Sequence, residues 1–87
     1  MKDREEFIKK LGSNIRMIRM AKNLSVEKLS LESGLAYSQI SRIELGKRNP
    51  TAFTLYKISN SLKCSPTDFF DGIHGIQPNQ IQDSYEP

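Results

Sequence analysis

Cysteine and histidine each occur once in this chain, as Cys64 and His74. A single thiol closes no internal disulfide, and one thiol with one imidazole makes a poor metal site. No apolar run approaches the roughly 20 residues that a membrane span needs. The polar start Met1-Lys2-Asp3-Arg4-Glu5-Glu6 leads into no signal-peptide apolar region. These absences point to a cytoplasmic protein. Missing too are a nucleophile–base pair, paired carboxylates on a shared face and a phosphate-binding glycine loop, so enzyme chemistry has no visible carrier. No cofactor, metal or small-molecule ligand is expected. No stretch alternates with period two for long enough to argue a strand, and no internal repeat is evident.

What is present fits one small domain: 87 residues, 37% hydrophobic and 26% charged, a composition that is neither disordered nor membranous. The net charge of +3 is mild, but its distribution is uneven. All 13 lysines and arginines lie in residues 1–72, against eight of the ten acids, while the remainder holds only Asp83 and Glu86. The folded part is therefore more basic than the whole, which suits an anionic partner without requiring one. We expect a domain over residues 1–72 and a polar C-terminal tail over residues 73–87, rich in Gln and Asn and carrying Pro78.

The spacing predicts five helices. The first starts at Asp3, with Glu6 three residues later, carries Phe7, Ile8, Leu11, Ile15 and Ile18 at helical intervals, and stops near Asn23. Gly12 reads as a weak point within it. Ser25 is the expected N-cap of a second helix, about Val26 to Ser33, ended by Gly34. A third runs from about Tyr37 to Leu45. Lys47-Arg48-Asn49-Pro50 is a loop by composition. Thr51 caps a fourth, about Ala52 to Leu62, with an inner stripe of Leu55, Ile58 and Leu62. Ser65-Pro66-Thr67-Asp68 then starts a short fifth helix that carries Phe69 and Phe70.

The third helix carries the functional signal. Ile40 and Ile43 form an apolar stripe, and Tyr37, Ser38, Gln39, Ser41 and Arg42 supply hydrogen-bonding groups and a fixed cation. One buried stripe with one hydrogen-bonding face is what a major-groove reader needs. Arg grips guanine O6 and N7 with two bonds, and Gln does the same for adenine N6 and N7. Tyr37 either packs on a thymine methyl, bonds a phosphate, or closes the core between the second and third helices.

Residues of about 11–70 resemble the Cro/repressor-type helix-turn-helix domain, the XRE family. The resemblance rests on Ile15-Arg16-Met17-Ile18-Arg19; on Leu24-Ser25, Glu27 and Leu29; on Gly34; on Ile40-Ser41, Ile43-Glu44 and Gly46; and on Pro50-Thr51 and Leu55 leading to Ile58, Leu62 and Phe70. It implies an all-α fold, a compact five-helix bundle of the lambda-repressor-like DNA-binding type, with the third helix in the major groove. It also implies a transcriptional regulator that binds double-stranded palindromic operator DNA as a homodimer. Matched residue by residue, it implies base contacts from Tyr37, Ser38, Gln39 and Arg42. Backbone contacts fall to Ser25, Ser41, Lys47, Arg48 and Asn49, and a structural ion pair to Arg19 and Glu44. The apolar residues Phe69, Phe70, Ile73 and Ile76 are the expected dimer interface.

Two positions depart from the family pattern. Val26 stands where many members have a glutamine that touches DNA, and Ala36 stands where many have a capping Ser or Thr. Among small stand-alone members, a restriction–modification controller protein is the type this chain most resembles, ahead of a phage-type repressor or an antitoxin. The competing reading from another class is a protein-interaction module, antitoxin-like or an adaptor, that uses the same fold without reading DNA.

Overall fold

With no proline before Pro50, no proline interrupts a helix in the first 49 residues. In the computed structural model, which describes residues 2–74, helix α1 spans Lys2–Ala21. Asp3 and Glu5 in its first turn and Arg19 in its last oppose the helix dipole favourably. Ile8, Leu11 and Ile15 are buried at helical intervals along one face. The stop is left-handed Asn23, with φ 58°, and the Leu24 N–H turns back to the Arg19 carbonyl at 3.2 Å.

Helix α2 spans Val26–Ser33 and α3 spans Tyr37–Glu44. The Ser25 hydroxyl accepts from the Lys28 N–H at 3.0 Å, satisfying one of the donors that a helix start leaves unpaired. Gly34 ends α2 at φ 78°, a conformation that costs a residue without a Cβ nothing. Helix α4 spans Ala52–Leu62, with the Thr51 hydroxyl accepting from the Thr54 N–H at 3.1 Å. Among the described residues no helix is long and apolar enough to cross a membrane.

The fifth element corrects the expectation. Pro66–Phe70 is a 3-10 segment, so the described chain has four α-helices and one 3-10 turn instead of five α-helices. Its start is as read: Ser65 and Asp68 close a capping box, with the Asp68 carboxylate accepting from the Ser65 N–H at 3.1 Å. Five residues make fewer than two turns, and the tighter winding suits such short pieces.

The two phenylalanines of this segment differ in burial. Phe69 is fully buried in the core, while Phe70 remains 39% exposed and tilts against Phe7 with ring centroids 6.0 Å apart. Phe69 is thus removed from the expected dimer surface, and it, not Phe70, is the aromatic that completes the core. Asn14 fixes this arrangement from α1, its side-chain amide donating to the carbonyls of Phe69 and Asp71, both at 2.8 Å.

Helix α1 packs on α3 and on the 3-10 segment, and α2 packs on both α3 and α4. Gly12 is a point of close approach between α1 and α3: a Cβ there would lie 2.1 Å from the Ile43 carbonyl oxygen. What reads in the sequence as a weak helix position is where the missing side chain lets two backbones meet. Ile73 is half-buried against the core, so packing continues one residue past the expected domain end. Ile76 and the rest of the expected tail from residue 75 lie outside the described residues.

Candidate nucleic-acid interface

Helix α3 is amphipathic in the sense its sequence requires. Ile40 and Ile43 are 0% and 1% exposed, and they anchor one side in the core. Tyr37, Ser38 and Arg42 are exposed, and Gln39 and Ser41 are half-buried at the margins of the outer face. Successive residues on a helix turn by about 100°, so the direction opposite Ile40 and Ile43 is taken by Ser38, Ser41, Arg42 and Leu45. Tyr37 and Gln39 point to the two flanks. Ala36 precedes α3 in extended conformation and makes no side-chain cap bond.

One guanidinium holds this helix in place. Arg19 Nε donates to Glu44 Oε2 at 2.6 Å and Nη2 donates to Oε1 at 2.9 Å, while Nη1 donates to the Leu24 carbonyl at 2.6 Å. The side chains are 11% and 6% exposed. The hydrogen bonds that Arg19 donates to Glu44 raise its pKa above the ordinary value, against the opposing effect of burial, with the charge of Glu44 and a smaller contribution from Tyr37 also pushing upward. The fork-to-fork geometry fixes orientation as well as charge. Because the same group grips Leu24 and Glu44, it ties the segment before α2 to the last residue of α3, and so sets the angle at which α3 faces outward.

The remaining expected residues surround this face. Ser25 sits at the start of α2, exposed, its hydroxyl committed to the cap. Lys47, Arg48 and Asn49 are exposed in the loop after α3, and the Lys47 N–H bonds the Arg42 carbonyl at 2.8 Å, which pins the start of the loop to the helix. Val26 is half-buried against the core and offers no polar group outward.

Other residues have no role in the sequence reading. Leu45 is 57% exposed at the end of α3, in line with Ser38 and Arg42 at helical intervals of four and three residues. On α4, Phe53 and Tyr56 are 67% and 52% exposed and stack with centroids 6.3 Å apart, the Lys57 ammonium lying 5.4 Å from the Phe53 ring centre. Their spacing, out of phase with Leu55, Ile58 and Leu62, is the signal that separates them from the core. Cys64 is half-buried, and burial pushes its thiol pKa up. A raised pKa keeps it in the unreactive thiol form. No cluster of His, Cys, Asp or Glu suited to a metal occurs among the described residues.

A helix-turn-helix whose second helix turns a polar face and a basic loop outward defines a class, and comparison with known proteins places the chain within it. Residues 15–69 match the helix-turn-helix family. An HTH-type transcriptional regulator of Sinorhizobium fredii, y4dJ, is 38% identical over 69% of this chain and 86% of its own length. The control protein C.BamHI of Bacillus amyloliquefaciens is 43% identical over 69% of this chain and 75% of its own. Among solved structures, the restriction-modification controller protein C.AhdI of Aeromonas hydrophila superposes with a TM-score of 0.71 at 35% identity, covering 72% of this chain and 96% of that one. The chain belongs to the XRE-type helix-turn-helix family of transcriptional regulators, which are DNA-binding proteins and not enzymes.

Proposed function

We propose that this protein is a sequence-specific regulator that binds palindromic operator DNA as a homodimer, with α3 in the major groove. The observation that carries the reading is the outer face of α3, where Tyr37, Ser38 and Arg42 are exposed while Ile40 and Ile43 hold the helix to the core. Arg42 takes guanine, Gln39 takes adenine from the flank, and Tyr37 and Ser38 meet base edges at the start of the helix. Ser25, Ser41, Lys47, Arg48 and Asn49 meet the sugar-phosphate backbone. Such contacts set register and supply the salt-dependent part of the affinity.

A single short helix reaches few base pairs, so useful selectivity calls for two copies on a palindrome. The joining surface is apolar. Of the residues expected there, Phe70 is partly exposed and Ile73 half-buried. The stacked Phe53 and Tyr56 on α4 offer a more exposed apolar surface, and we assign the dimer contact to them, with Phe70 as a second candidate. Similarity to the two control proteins supports a restriction–modification controller role, which the neighbouring genes would decide.

Titration with random-sequence duplex at two salt concentrations tests the reading. Binding that weakens steeply as salt rises is the expected result. The absence of salt-dependent binding would instead favour a protein-interaction module, a reading consistent with the apolar Val26 and the uncapped start of α3.

A further inference from the structure

We propose that Leu45 is a specificity-determining residue that reads a thymine through its 5-methyl group. The inference rests on the DNA-reading function proposed above and extends it to a residue without hydrogen-bonding capacity. Leu45 is 57% exposed on a face whose other members are Ser38, Ser41 and Arg42. Its N–H bonds the Ser41 carbonyl at 3.0 Å, so the residue continues the helical path and keeps the register of that face. The loop that follows begins with Lys47 and Arg48, both exposed. A large exposed apolar side chain thus falls along the chain between Arg42 and the loop cations Lys47 and Arg48.

Within the major groove the donor and acceptor pattern of the base pairs is interrupted by one apolar feature, the thymine methyl. Leu45 has nothing to offer a phosphate or a polar base edge, and burying a donor or acceptor against it would cost free energy. Against a methyl group it gains by excluding water. Seven residues at 1.5 Å separate Leu45 from Ser38 along the axis, roughly 10 Å, which is about three base-pair steps. The thymine therefore lies at the far end of the half-site from the pair read by Ser38, with Arg42 between them.

The experiment uses the duplex enriched by the full-length protein from a random library. Each thymine is replaced in turn by uracil, which removes only the methyl. Affinity is measured for the unmodified protein, for Leu45→Ala and for Leu45→Gln. Circular dichroism establishes first that both variants keep the fold, as expected for an exposed position. The expected result is one thymine per half-site where uracil weakens binding by the unmodified protein by about fourfold, the effect of one buried methyl. That loss disappears in both variants. A uracil effect of equal size in all three proteins, or none at any thymine, would overturn the assignment of Leu45 while leaving DNA reading intact. A library that enriches no sequence would remove the functional reading itself, and the inference with it.

Discussion

Arg42 is exposed on α3 one turn after Ser38, where a guanidinium can grip one base. Arg42→Ala is expected to weaken binding to the enriched operator by about 1–3 kcal/mol per half-site and to relax base preference at one position. Competition between the operator and its single-base variants measures both. Equal losses on operator and random DNA would move Arg42 to the phosphate group. For Lys47 and Arg48, exposed in the loop after α3, the proposed role is contact with phosphate. Replacing either with Ala is expected to weaken binding to all sequences alike and to lower the log–log salt slope by about one. An unchanged slope with lost sequence preference would reject the backbone role.

At the scale of elements, the outward face of α3 depends on how its other end is held. Glu44 is the last residue of α3, and it is joined to Arg19 with both side chains nearly out of water. Glu44→Ala leaves a buried guanidinium with the Leu24 carbonyl alone, and loss of one partner of such a pair costs about 3–5 kcal/mol. That is a large share of a small domain's stability. Thermal unfolding checks it: a clear drop in midpoint is expected, and an unchanged midpoint would mean the pair contributes nothing. Element boundaries were legible because their signals are local. Ser25, Gly34, Thr51 and the Ser65–Asp68 box each act within a few residues of their own position. Gly12 and Asn14 were not legible, since their partners lie 31 to 57 residues away and no local pattern reports them. Phe69 and Phe70 were not separable for a related reason: which ring faces inward is settled by distant partners such as Asn14, whose amide holds the Phe69 carbonyl.

For the whole molecule, the proposed dimer converts a short reading surface into a long one. Phe53 and Tyr56 lie on the side of α4 away from Leu55, Ile58 and Leu62. Phe53→Ser with Tyr56→Ser is expected to lower dimer affinity by tenfold or more, on the order of 25 cal/mol per Å² of apolar area left in water. Operator affinity should fall with it. Analytical ultracentrifugation of the folded double variant decides the point, and Phe70→Ser tested alongside shows whether the 3-10 segment carries the contact instead. The division of α3 into a buried stripe and an exposed polar face was legible in the sequence as a pattern on one helix. The exposed pair Phe53 and Tyr56 was legible only by its phase, which sets both residues off the stripe of Leu55, Ile58 and Leu62.

Selection of bound duplexes from a random library decides whether the outer face of α3 reads sequence. Enrichment of a palindrome is expected, its half-sites about 34–36 Å apart, one helical turn, with enrichment lost when Arg42 is replaced by Ala. Recovery of unselected sequence, bound equally well with or without Arg42, would contradict it.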